Sequence, residues 1–184
     1  MIAQEAKVQI SSITYHFETK ENLYQEVIRR ILHYAAQSIL RPMESLSQPL
    51  TPKSARQELL SMIGNWIDWV YDNSHVVTYA KIISREHISP SPAYEILYNE
   101  FFSKAIRRMT TIVHCLIKGQ KRDNKKEREA ALLTFSFFGQ IFGFRLQREM
   151  LVRHLGFTGF SADEIAELKD LLIRNISRQL GVTL

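Results

Sequence analysis

Apolar residues recur at helical spacing along most of the chain. Between residues 20 and 40, Leu23, Tyr24, Val27, Ile28, Ile31, Leu32, Ala35, Ala36, Ile39 and Leu40 follow one another at the intervals of one helix face. That spacing predicts a long amphipathic helix, with Thr19 as its cap and Pro42 beyond its end. "RPMESLSQPL" reads as a linker, after which Thr51 and Pro52 supply a cap and a first-turn proline for a helix to about Asp72. A further helix is expected from about His75 to His87. The "SPSP" at residues 89–92 ends it and opens another that reaches Lys118, about 40 Å long. Residues 119–124 read as a turn. From Lys125 a helix is expected through "AALLTFSFFGQIFGF", with a break near Gly143, then a shorter one ending at Gly156. The last helix is the best marked: Ser161 and Glu164 form a capping box, Gly181 is the stop, and Ile165, Leu168, Leu172, Ile176 and Leu180 are its stripe.

Composition agrees with this all-α pattern. The 184 residues hold seven glycines and five prolines, too few for a turn-rich β protein. With 45% hydrophobic and 23% charged residues the chain is expected to be globular. No fixed-period repeat or low-complexity tract interrupts it. The longest uncharged run, residues 130–144, would cover only about 22 Å of a roughly 30 Å hydrocarbon layer, so no membrane partner is expected. A single cysteine, Cys115, and no leader-like pattern at residues 1–10 point to the cytoplasm. The formal charge of +5 is compatible with a polyanionic partner. The segment "KGQKRDNKKERE", residues 118–129, reads as a solvated loop and helix start.

Residues 2–23, "IAQEAKVQISSITYHFETKENLY", form a unit: a short helix over residues 2–6, a tight turn at Lys7 and Val8, and a second short helix from Gln9 or Ile10 to about Phe17. Ala6 is small where two helices would cross, and Val8, Ile13 and Phe17 are apolar where a shared core would lie. This is a helix-turn-helix pattern. Ile2, Ala3, Ala6, Val8, Ile13, Tyr15, His16, Phe17, Lys20, Glu21 and Leu23 stand at the positions that carry the motif of the TetR family of transcriptional regulators, which the chain resembles. Lys7 departs from the usual glycine, Gln9 from a serine-type cap and Thr14 from tyrosine or asparagine. A lysine in a left-handed turn costs about 1 kcal/mol relative to glycine.

The resemblance implies that residues 9–14 face the major groove of a double-stranded DNA operator, with Gln9, Ile10, Ser11, Ser12 and Thr14 at the bases and Tyr15, His16 and Lys20 at phosphates. Tyr15 equally fits packing beneath the connecting helix, and Phe17 fits it better. The resemblance also implies a further helix before this unit, and only Met1 stands there. The few apolar side chains of the segment bury less than its ordering costs, so about the first fifteen residues are expected to lack stable order or to lie against a partner. Four basic residues, Lys7, Lys20, Arg29 and Arg30, balance Glu5, Glu18, Glu21 and Glu26 up to residue 30.

Farther on, "REHISPSPAYEILY", "TFSFFGQIFGFRL" and "LVRHLGF" resemble the C-terminal domain of the CecR-type branch of the same family. The implied fold is a partial helix-turn-helix head with its connecting helix, residues 1–40, and a TetR-like helical ligand-binding and dimerisation domain, residues 41–184. The implied homodimer pairs the last two long helices of each subunit. Phe135, Phe138, Phe142 and Leu146 form one stripe suited to this, and Ile165, Leu168, Leu172 and Ile176 another. A pocket for a small apolar or aromatic ligand is expected among Trp66, Trp69, Tyr79, Phe102, Phe138 and Phe144, with Arg85, His87, Gln140 and Arg145 as polar anchors.

Catalysis finds no comparable pattern: no nucleophile elbow, phosphate-binding glycine loop or metal-ligand spacing occurs. Adjacent His114 and Cys115 point to different sides of a helix, and Arg85-Glu86-His87 reads as ion pairing and capping. No cofactor or metal is expected. A ligand-responsive DNA-binding repressor is the leading expectation. A dimerising, ligand-binding interaction protein with little DNA binding is the alternative, and a helical enzyme comes last.

Overall fold

The computed structural model describes residues 2–41, 50–71, 76–117 and 124–182. Among these the secondary structure is helical throughout. The head consists of α1 (Ile2–Glu5) and α2 (Ile10–Phe17), and the connecting helix is α3 (Lys20–Ile39). The body comprises α4 (Pro52–Tyr71), α5 (Val76–Ile88), α6 (Pro92–Leu97), a π turn (Tyr98–Phe102), α7 (Ser103–Leu116), α8 (Asn124–Leu146), α9 (Arg148–Leu155) and α10 (Ala162–Leu180). The linker expected after Arg41, the turn after Lys118 and the ends expected at Asp72 and His75 lie outside the described residues.

Local chemistry sets most of the boundaries. Thr19 caps α3 by accepting from the Asn22 amide at 3.1 Å, and Ser91 caps α6 by accepting from Ala93 at 3.1 Å. At α10 the Ser161 hydroxyl accepts from Glu164 N–H while the Glu164 carboxylate accepts from Ser161 N–H at 2.7 Å. Gly156 and Gly181 end α9 and α10 in the left-handed conformation. The break after α8 comes at Gln147 (φ −92°, ψ 15°), four residues beyond the expected Gly143. Glycine weakens a helix by only about 1 kcal/mol, and Gln147 N–H still donates to Gly143 carbonyl at 3.0 Å, so α8 runs on past that residue.

Helix α7 packs most extensively on α8 and α4, and α3 lies against α6 and α4. The inner face of α3 (Ile28, Ile31, Leu32, Ala35, Ile39) joins the same core as α4, α7, α8 and α10. Its centre is Trp66, fully buried among Phe101, Phe102, Phe138 and Phe142 at ring separations of 5.0–6.4 Å. The π turn holds more residues per turn than an α-helix, so the adjacent Phe101 and Phe102 both face this core. Polar side chains also tie it together. Glu58 of α4 receives Arg108 of α7 in a forked pair, Nη2 to Oε2 at 2.7 Å, and Tyr71 donates to the Ile141 carbonyl at 2.7 Å. Burial pushes the Tyr71 hydroxyl above its ordinary pKa, so it stays a donor.

The head, expected to lack stable order or to lie against a partner, is helical here. Both α1 and α2 are formed, Ala3 is buried, and the Val8 amide closes the turn on the Ala3 carbonyl at 3.0 Å. Lys7 adopts φ 54°, the left-handed turn required at that position. The segment leans on α3 through contacts between α2 and α3, which the count of its own apolar side chains leaves out.

Candidate DNA-reading head and candidate ligand cavity

Helix α2 presents its chemistry to solvent. Gln9 stands at the N-cap without capping through its side chain, which instead accepts from the Ser11 hydroxyl at 3.4 Å. Ile10, Ser11, Ser12, Thr14, His16 and Lys20 are exposed, and Tyr15 is 83% exposed. Tyr15 therefore does not pack beneath the connecting helix; its ring meets only the edge of His16, with centroids 5.4 Å apart. Phe17 and Ile13 are half-buried. Thr14 donates back to the Ile10 carbonyl at 3.1 Å, so its hydroxyl is engaged within the helix. Ile2, Ala3, Ile10, Ile13 and Leu23 converge on an open groove that Thr14 and Lys20 also line.

Within the body a cavity of about 180 Å³ lies where α4, α5 and α8 meet. Helix α4 contributes Trp69 and Val70, α8 contributes Phe142, Arg145 and Leu146, and the widest wall is α5, with Ala80, Ile83, Ser84, His87 and Ile88. Of the residues expected in a pocket, Trp69, His87 and Arg145 are brought together here. Trp66, Phe102 and Phe138 are instead sealed in the aromatic core. Tyr79 and Phe144 pack half-buried against the core, Gln140 reaches back to the Ser136 carbonyl at 3.4 Å, and Arg85 lies over the Tyr24 ring at 5.9 Å. His87 donates from Nδ1 to the Ile83 carbonyl at 2.9 Å and meets the Phe102 ring edge-on at 5.1 Å. Sequence reasoning missed Val70, Ala80, Ile83, Ser84 and Ile88, which carry no mark that separates a cavity wall from a core.

Behind that wall, α5 turns Glu86 inward, 1% exposed. Its Oε1 accepts from the Tyr24 hydroxyl of α3 at 2.8 Å, and its Oε2 accepts from the Ser91 amide at 3.0 Å and hydroxyl at 2.8 Å. Burial works to raise the Glu86 carboxyl, but the bonds from Ser91 and Tyr24, with Arg85 nearby, outweigh it and hold the group below its ordinary pKa. Tyr24 is pushed up to about 12, by burial first and then by its bond to Glu86. Expected as a surface ion-pairing and capping residue, Glu86 is a buried junction between the connecting helix and the cavity wall. The one signal for it in the sequence was the cap Ser91, five residues on.

The two stripes expected at a dimer interface divide between inside and outside. Leu168, Leu172 and Ile176 are buried against their own subunit and Ile165 is half-buried, so that face of α10 is internal packing. On α8, Phe138 and Phe142 turn to the core, while Phe135, Leu146 and the neighbouring Leu132 are exposed. Among the described residues no cluster suited to a metal ion occurs, and no helix is long and apolar enough to cross a membrane.

Comparison with known proteins fits both halves. Residues 55–181 match the family described as HTH-type transcriptional dual regulator CecR, C-terminal domain. The HTH-type transcriptional dual regulator CecR of Shigella flexneri is 24% identical over 189 residues, which cover 97% of this chain and 83% of that protein. The chain belongs to the CecR-type branch of the TetR family of transcriptional regulators.

Proposed function

We propose that the chain is a ligand-responsive, homodimeric DNA-binding regulator, a repressor of TetR type. Residues 1–40 serve as the reading segment and connecting helix, and residues 41–184 as the sensing and dimerising body. The observation that carries the ligand response is the position of α5. One face of this helix walls the cavity, and Glu86 on another holds Tyr24 of α3. A ligand with different affinities for two positions of α5 therefore shifts α3, and α2 with it. On the DNA side, Ile10, Ser11 and Ser12 of the exposed face of α2 reach base edges, and Tyr15, His16 and Lys20 reach phosphates.

The test is fluorescence anisotropy on DNA from upstream of the protein's own gene. Specific binding is expected to weaken steeply with salt, with log K falling by roughly 0.9 per phosphate contact for each unit of log salt. It is expected to weaken at least tenfold in the Tyr15→Ala, Lys20→Ala double variant, about 1.4 kcal/mol. Binding that is absent at low salt, or indifferent to this variant, overturns the DNA reading. The charge balance of zero up to residue 30 supports the second reading, a dimerising ligand-binding protein that does not hold DNA, and that result would leave it in place.

A further inference from the structure

Arg145 is the charged residue among those lining a cavity that is otherwise largely apolar, and no carboxylate among the described residues pairs with it. Its guanidinium lies over the Phe160 ring at 5.5 Å, and it takes part in none of the ion pairs among the described residues. Its neighbour Arg148 is bound to Glu149 at 2.8 Å. Burial acts against the charged form of Arg145 and the charge of Arg148 adds to that, while Tyr71 works the other way. A guanidinium nevertheless keeps its proton in a protein, so the unmet need at this wall is for an anion. A planar carboxylate meets it best, because the two N–H groups of the fork match its two oxygens.

Size and lining restrict the remainder of such a molecule. A cavity of about 150 Å³ lined by apolar side chains holds one benzene ring, and this one, of about 180 Å³, holds a ring with a short substituent. Trp69, Ile83, Phe142 and Leu146 offer apolar and aromatic contact for that body. The other polar residues of the lining are Ser84 and His87, whose Nδ1 is already bonded to the Ile83 carbonyl. A second cation on the ligand would meet Arg145 and no carboxylate on the wall.

Taking this cavity as the effector site argued above, we propose that its ligand is a small monocarboxylic acid with a one-ring or short branched body, held by a forked pair between its carboxylate and Arg145. The probes are benzoate and phenylacetate, their neutral amides, and benzylamine, titrated calorimetrically into the full-length protein. The acids are expected to bind at least tenfold more tightly than the amides, about 1.4 kcal/mol, because the forked pair is charge-assisted, and benzylamine not at all. In Arg145→Gln the preference for acid over amide should vanish. In Arg145→Lys, which restores the charge without the fork, part of it should return, with circular dichroism confirming that both variants fold. Amides binding as well as acids, acid binding unchanged in Arg145→Gln, or no acid binding at millimolar concentration each overturns the proposal. Acids that bind with this preference but leave DNA affinity unchanged would uphold the ligand class and sink the effector role. An amide or amine that binds and shifts DNA affinity would do the reverse.

Discussion

Glu86 keeps its charge in the interior because three donors, two of them from one residue, saturate its two oxygens. A glutamine in its place has only one acceptor oxygen, so either the Tyr24 hydroxyl proton or the Ser91 amide faces an N–H and loses its acceptor. Leaving a buried donor unsatisfied costs about 1–3 kcal/mol. For a chain of this size each kcal/mol moves the thermal midpoint by about 2–4 °C, so Glu86→Gln is expected to lower it by roughly 2 to 12 °C in a melt at neutral pH. The pH dependence follows from the depressed carboxyl. Its stabilisation is complete above the ordinary glutamate pKa, about 4.3, and is lost as pH falls through the lower folded value. The gap between wild type and Glu86→Gln should therefore narrow below about pH 4. A gap that stays constant through that range would mean that Glu86 is held by packing alone.

At the scale of the element, α10 shows what the sequence makes legible. The pattern Ser161 to Glu164 and the terminal Gly181 are local chemistry, and the structure realises both, with the Glu164 carboxylate also accepting from the Thr158 amide at 2.6 Å. Ser161→Ala is expected to cost about 1 kcal/mol. Hydrogen exchange should then quicken in the first turn of α10 alone; quickening along the whole helix would assign the effect to the core. The start of α3 at Thr19 and of α6 at Ser91 were legible on the same grounds. The end of α8 was not, because a glycine permits a break without requiring one. The cavity was legible only in part. Aromatic residues mark where packing is dense, and they led to Trp66, Phe102 and Phe138 at the closed centre. An empty space between three helices is decided by their relative placement, which Val70, Ile83 and Ser84 do not announce in the sequence. Glu86 escaped for a related reason, since its partner Tyr24 is sixty-two residues away.

For the whole molecule, part of the α8 stripe expected at a dimer interface stays exposed, whereas that of α10 is buried within the subunit. Leu132 is 62% and Phe135 56% exposed, and Gly139 and Gly143 follow on the same helix within two turns. A glycine inside a helix costs about 1 kcal/mol relative to alanine, and nothing among the described residues requires either of them: a Cβ at Gly139 or Gly143 meets no described atom within 4 Å. Large apolar residues left in water and small ones where the subunit has space are both accounted for if a second copy of α8 crosses closely here. In the single chain, Gly139→Leu places its side chain in open space and gains helix propensity, so the folded subunit should be no less stable. In a dimer the same side chain would stand between the two helices and hold them apart. Light scattering on the purified protein is expected to give a dimer for the wild type and a shift toward monomer for Gly139→Leu, with the helical content unchanged. Phe135→Asp, which removes apolar contact without adding bulk, should shift it in the same direction. A Gly139→Leu protein that remains as tightly dimeric as the wild type would place the interface on another face and leave the two glycines of α8 without a role in assembly.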